Sequence, residues 1–555
     1  MAIRWAYLKR VLAGAIFGLY MGHLLYFLNP QVDINPLRLA TVTLVYGLTC
    51  GLLFGTALWL LRLLRVKLFG RSPDGPYRAH GFGFVVLAAF ISSAIYWIHL
   101  YAVRIYLPID AVRLLGKSTN LITAVAFLLL LLWVMERNAD RRTSRAIFVS
   151  GVVVIAVSSF FLYQRRESYH TEKRLAVVAN VGRVAGQRPV VVVAVRNLPY
   201  DWIITLAGEG KLPFFEQARK GAYFTRLEPF RTSSPKSLWA SLATGKLPYR
   251  HGVTGRFSYR TLFNGPDPHE RFLLLPSGVG FAAWGLIPPV QRISAQLPAG
   301  DALPLWTLFE RLLFHASVVN WPSSTGTSAS VVVTDRAVHE TPHDPTLTGA
   351  AAARFNATGL ARKQIVQGLS DDLAAAALAR TSLAQHHELD VLALEGFSDA
   401  QRALHVYRND LPPRSSVKGE ALRAYAEELD RVLAALARDY PDRLLVIVSP
   451  SGPAAPELPD TAYFLAREAL AAEDSGADDG FVLITGAGAA HKENPASAYV
   501  VDVVPTVLFG AGLPVGRDMD GRVLSDAFQE DFLVRSPLSI IQTYEAGQVV
   551  VRRGS

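Results

Sequence analysis

Residues that could do chemistry are thinly spread along this chain. The sharpest local contrast is "VVVVAVRN" at 190–197, where a run of valines ends in Arg196 and Asn197. A continuous apolar run of that length reads as a buried strand, and the loop after such a strand is where an α/β sheet meets its ligands. A guanidinium there offers a two-pronged fork to a carboxylate or another anionic group. The bland alternative is a loop residue pointing to solvent. "HETPH" at 339–343 has the spacing of a zinc-binding helix, but Pro342 is incompatible with the single helix that such a site requires. "HHE" at 386–388 reads as a solvated cluster, and "GAGAAH" at 486–491 as a lone glycine-rich turn. The single cysteine, Cys50, excludes an intrachain disulfide.

The elements that must position these residues fall into two parts. At 555 residues, 51% of them hydrophobic, the chain exceeds one ordinary domain. Its apolar excess is concentrated in residues 1–163. Five stretches there, 11–29, 39–64, 83–103, 120–135 and 146–163, come close to the ~20 residues of a membrane-crossing helix, the fourth being short. Residues 1–165 hold 17 Lys/Arg against 5 Asp/Glu, so the net charge of +10 is accounted for there and no nucleic-acid patch is expected elsewhere. Twelve of those cations lie in the N-terminus and the second and fourth loops, which the positive-inside rule assigns to the cytoplasm. Five spans then leave the C-terminal part outside, in the periplasm or beyond the cell. His23 and His99 read as packing or interfacial residues.

Residues 164–188 are polar and read as a linker. From 189 onward, short apolar runs at 190–195, 317–321, 330–334, 390–396, 443–449 and 480–486 alternate with helical patterns such as 362–385 and 418–438. Continuous apolar strands imply a sheet covered on both faces, hence a doubly wound α/β domain over 189–535, with 256–305 as an insertion and 536–555 as a tail.

One long block is more specific. Residues 206–253, "LAGEGKLPFFEQARKGAYFTRLEPFRTSSPKSLWASLATGKLPYRHGV", and residues 502–528, "DVVPTVLFGAGLPVGRDMDGRVLSDAF", closely resemble the type I phosphodiesterase/nucleotide pyrophosphatase branch of the alkaline phosphatase superfamily. "NWPSS…VVVTDRAV" at 320–338 is a weaker echo. The resemblance implies an alkaline phosphatase-like, mostly parallel sheet. It also implies phosphate- or sulfate-ester chemistry by a Ser/Thr nucleophile and two divalent metals, zinc or manganese.

Matched one by one, the implied ligands are largely replaced. The first metal-binding Asp falls on Arg196. The Asp-xxx-His pair falls on Asp399 and Ala403, with His405 two residues beyond. The Asp-His pair after a later strand falls on Pro450 and Ser451, and the late His on Gly476. Ser234 is the best match to the nucleophile, with Ser233 and Ser237 as alternatives; His251 matches the family's "HG". Each unit of metal charge about 4 Å from Arg196 would cost roughly 4 kcal/mol at an effective dielectric near 20. The resulting expectation is a membrane-anchored, catalytically degenerate domain with no cofactor. It would bind an envelope lipid, a glycan or a protein partner, and Arg196 would hold an anion or pair with Asp399. Glu395 and Asp201 are further acids able to rebuild part of a site. The rival readings are an active metal-dependent phosphodiesterase or headgroup phosphotransferase, and a structural subunit of an envelope complex.

Overall fold

The structure is a computed structural model. It describes residues 81–104, 107–137, 139–167, 188–230, 235–253, 302–322, 327–341, 357–383, 387–406, 414–453 and 478–545, with short gaps inside these ranges, short pieces between them and scattered residues before 81. The chain divides into two compact units, Met1–Lys173 with Tyr259–Arg292, and Arg174–Ser258 with Ile293–Ser555.

In the first unit, helices α1 (Gly81–Val103), α2 (Ile109–Arg137) and α3 (Arg141–Glu167) take up the last three apolar stretches. Two helices among the described residues are long and apolar enough to cross a membrane, Ile109–Arg137 and Arg142–Arg166; α1 carries a shorter apolar stretch, Val85–Tyr101. The stretches 11–29 and 39–64 lie largely outside the described residues, so two candidate spans stand where five are expected. The span that looks short in sequence is long in the structure. Ser118, Thr119 and Thr123 donate their hydroxyls to carbonyls four residues back, at 2.9, 2.8 and 2.8 Å, so the polar start of α2 stays helical. His99 is buried, with Nε2 2.8 Å from the Leu28 carbonyl, in keeping with a packing role.

The second unit is built on an eight-stranded sheet. Its strands are β1 (Val190–Val195), β2 (Tyr223–Glu228), β3 (Ala316–Val319), β4 (Val331–Val333), β5 (Leu389–Leu394), β6 (Leu444–Ser449), β7 (Gly480–Gly486) and β8 (Ala498–Tyr499). They lie in the order β8-β2-β7-β6-β1-β5-β3-β4. β7 is antiparallel to both its neighbours, and the other pairings are parallel. The expected mostly parallel α/β sheet is therefore present.

The main helices of this unit are α4 (Tyr200–Gly208), α5 (Pro213–Gly221), α6 (Pro235–Thr244), α7 (Leu305–Arg311), α8 (Asp335–Glu340), α9 (Gly359–Leu383), α10 (Gly396–Ala403), α11 (Val417–Asp439) and α12 (Val503–Gly510). Val190, Val192 and Ala194 pack with α6, α7 and α12 on one face; Val191, Val193 and Val195 pack with α4, α5, α9, α10 and α11 on the other. β1 is apolar without interruption because both of its faces are core.

The resembling blocks prove to be joints. Pro213 opens α5, whose first-turn amides at Phe214 and Phe215 each donate at 3.1 Å to the Asp430 carboxylate of α11. After α6, Gly245 turns with φ +67 where a side chain would press on Val504 of α12. Buried Lys246 pairs with Asp518 and, at 2.6 Å, with Glu545. Asp520 accepts from the Leu247 amide at 2.8 Å, the Tyr249 hydroxyl at 2.8 Å and Arg250 Nε at 3.0 Å. Blocks 206–253 and 502–528 thus lock together.

The domain also runs past 535. Ile540–Ile541 pairs with Val515–Gly516, and Tyr544 is buried, so part of the expected tail belongs to the fold. The expected insertion 256–305 is described only at Phe257–Arg260 and Gln291–Ser294, which pair with each other, and from Ala302, which is already core. Replacing Asp520 by Ala is expected to lower stability by about 1–2 kcal/mol, since it leaves three part-buried donors without their acceptor. Denaturant unfolding of the detergent-solubilised protein measures this, and an unchanged midpoint would refute the joint.

Candidate functional site

Three neighbouring parallel strands, β6, β1 and β5, end side by side. The register that pairs Val195 with Leu394 brings the next residues, Arg196 and Glu395, together. Arg196 Nη1 donates to Glu395 Oε2 at 3.0 Å, and the Arg196 amide donates to the Leu394 carbonyl at 2.9 Å. Burial raises the Glu395 carboxyl above its ordinary range, and the Arg196 guanidinium opposes that shift. The expected partner of Arg196, Asp399, pairs instead with Arg402 one turn along α10. That pairing expectation is corrected: lateral strand register, which the sequence does not display, puts Glu395 nearer. Asp201 is also committed elsewhere, to Arg226 at 2.9 Å.

The remaining strand ends are closed by hydrogen bonds. Asn197 takes the left-handed conformation, φ 62, and its amide donates to Ser398 Oγ at 3.0 Å. Gln401 Nε2 donates to the Asn197 carbonyl at 3.2 Å. In "SPSG", Ser449 Oγ accepts from the Leu198 amide at 3.1 Å and donates to the Ser451 carbonyl at 3.0 Å; the Gly452 amide reaches the Asp478 carbonyl at 2.7 Å. Ala403 packs partly buried in the core. Most of the turn's polar groups pair with one another, although Arg196 Nε and Gln401 Oε1 are buried without a hydrogen-bond partner among the described residues.

Ser234 and Ser233 lie outside the described residues, as does Gly476. Ser237 is fully buried in the first turn of α6, its hydroxyl without a hydrogen-bond partner among the described residues. His251 is also buried: Nδ1 accepts from the Val253 amide at 3.1 Å, so Nε2 carries the proton toward Ser241 Oγ at 2.8 Å. α8 stops at Glu340, ahead of Pro342, and His339 meets Asp371 at 3.2 Å, so "HETPH" is no helical zinc motif.

The described strand-end residues do not make up a two-metal donor set. Arg196 brings a cation to the first position, Pro450 and Ala403 have no side-chain ligand atoms, and no group of three or more His, Cys, Asp or Glu converges among the described residues. Two residues that sequence reasoning undervalued are Glu395 and Ser449. For Glu395 a signal was present: two apolar runs, 190–195 and 389–394, each end in a charge of opposite sign.

No protein-family model matches the chain, and no curated protein matches it. Among solved structures, a putative sulfatase from Bacteroides thetaiotaomicron is similar at 14% identity and a TM-score of 0.38, covering 61% of this chain and 74% of its own. The murine ectonucleotide pyrophosphatase/phosphodiesterase 5 is similar at 12% identity and a TM-score of 0.36, covering 62% of this chain and 100% of its own. A protein in the alkaline phosphatase superfamily from Vibrio parahaemolyticus is similar at 12% and 0.37, covering 66% and 76%. Likenesses this low carry no conclusion about this chain's chemistry.

Arg196 and Glu395 are 22% and 27% exposed, so their pair is screened and contributes about 0.5–1 kcal/mol. A double-mutant cycle of Arg196→Ala with Glu395→Gln should show that coupling, and one with Asp399→Asn should show none. The reverse result would reinstate the Asp399 pairing.

Proposed function

We propose that the chain is a membrane-anchored, non-catalytic relative of the phosphodiesterases whose outward-facing domain binds an anionic component of the cell envelope, a lipid or glycan headgroup, or a partner protein. The Arg196–Glu395 ion pair carries this reading. It fills, with a fixed cation and its counter-charge, the strand-end position where metal chemistry needs a lone carboxylate. An incoming phosphate or carboxylate group would share the Arg196 fork with Glu395, which favours planar, two-pronged anions over point charges. The outward orientation is supported by the 12 cations of the N-terminus and the second and fourth loops.

Purified protein should hydrolyse phosphate mono- and diesters negligibly with or without added zinc or manganese. Ser234→Ala should leave the cellular phenotype of the wild type intact. Two tightly held metal ions per chain, or loss of function in a folded Ser234→Ala protein, would establish an active enzyme instead.

A reporter fused behind Ser555 should be active only on the outer side of the membrane. Placing it there keeps Glu545 in its pair with Lys246. Cytoplasmic reporter activity would overturn both the orientation and the envelope ligand.

A further inference from the structure

Near its C-terminal end the second unit leaves apolar side chains in solvent. Val534, Leu538 and Ile540 are 78%, 49% and 61% exposed. The other large apolar side chains exposed among the described residues of this unit, Leu313, Leu360, Val417 and Tyr499, stand far apart in sequence. Scattered exposure of that kind is ordinary, whereas a cluster marks a contact surface. The backbone beneath the cluster is fixed. Val534 belongs to the short helix Glu530–Arg535, whose Phe532 is buried against Phe509 of α12 and Phe528, ring centroids 5.4 and 5.1 Å away. Ile540 opens the strand that pairs with Val515–Gly516, and the Ser539 carbonyl accepts from the Val515 amide at 2.8 Å.

Cations adjoin this surface. Arg517 and Arg535 are exposed, and Arg188 lies over the Phe532 ring at 4.5 Å. Arg188 ends a basic segment: residues 173–188 hold Lys173, Arg174, Arg183 and Arg188 and no acid. Residues 546–555 hold Arg552 and Arg553 and no acid. Asn180–Val181 pairs in parallel with Val550–Val551, which brings the two basic segments side by side. The acids on the short helix are Glu530 and Asp531, and Asp531 meets Arg535 at 3.4 Å. Asp518 and Glu545 are taken by buried Lys246.

We propose that Val534, Leu538 and Ile540 rest on the surface of a lipid bilayer, with the basic segments on its anionic headgroups. The proposal rests on the membrane-anchored reading. Apolar side chains that enter the headgroup region beside cations are how a peripheral surface holds anionic lipid. A second copy of this chain fits less well, because three side chains fall short of the ~800 Å² per partner that a stable dimer buries. A bilayer contact can be smaller. Residues 168–187 join this unit to α3, and a tethered contact forms at high effective concentration. Arg188 stands just ahead of β1 and Arg196 directly after it, so the docking surface lies toward the opposite end of that strand from the Arg196–Glu395 pair.

Depth-dependent quenching reads this directly. The full chain, with Cys50→Ala and one new cysteine, carries a single fluorophore into vesicles of mixed zwitterionic and anionic phospholipid. One label site is Ser539→Cys, between Leu538 and Ile540. The other is Ser415→Cys, exposed just before α11, at the end where Tyr425 of that helix meets the Gly396 turn. Lipid spin-labelled at the headgroup should quench the dye at 539 and spare the dye at 415. Val534→Asp combined with Ile540→Asp should abolish the quenching at 539 while the chain still floats with the vesicles after an alkaline wash. Persistent quenching in that variant, or equal quenching at the two positions of a floating chain, would overturn the docking surface and leave the anchored reading standing. Quenching at 539 that follows protein density instead of spin-labelled lipid would make a second copy the occupant and overturn it equally. A chain that washes off the vesicles would overturn the anchored reading, and this proposal with it.

Discussion

Everything at the sheet's working end follows from the burial of β1. None of its residues is more than 3% exposed, because helices cover it on both faces. A strand in that position cannot carry a polar side chain along its length without a heavy desolvation cost. Polar chemistry is therefore pushed to the residues just past its C-terminus; β6 is likewise apolar up to Ser449, while β5 carries one buried exception, Asp390, paired with Arg443 at 2.6 Å. What differs between proteins of this architecture is the set of side chains at those ends. Here they are Arg196, Glu395 and the Ser449–Ser451 turn, an ion pair and a hydrogen-bonded corner rather than a cluster of acids and imidazoles.

The same burial decides what was legible in the sequence. All six strands read from continuous apolar runs are present, because a run buried on both faces needs no neighbour to identify it. Tyr223–Glu228 went unread because Thr225 and Arg226 break its pattern, and Ala498–Tyr499 because two residues make no pattern at all. The antiparallel direction of β7 is set by the path of its connections, which hydropathy does not record. At the site, Arg196 stood out because it ends a valine run. Its partner did not, because the pairing depends on how β1 slides against β5.

The blocks that carry the family resemblance hold the fold together without supplying a described catalytic group. Lys246, Asp518 and Asp520 join two segments, and His251 props the turn after α6. A sequence can match such blocks closely whatever side chains stand at the strand ends, because the forces that preserve a buried ion pair are indifferent to them.

The Lys246–Glu545 pair has a consequence for how this protein is made. The two residues are 299 positions apart, and Lys246 is almost wholly buried. A buried ammonium without its second carboxylate is strongly destabilising. During synthesis the apolar helices leave the ribosome first, and the sheet's central strand soon after. The domain, however, cannot close around Lys246 until the far segment has emerged. For most of translation the chain would then wait as an open, partly assembled sheet, a state in which exposed strand edges are prone to mispair. Its yield in a cell would then be set by holding factors that shelter this late-closing intermediate rather than by the stability of the finished fold.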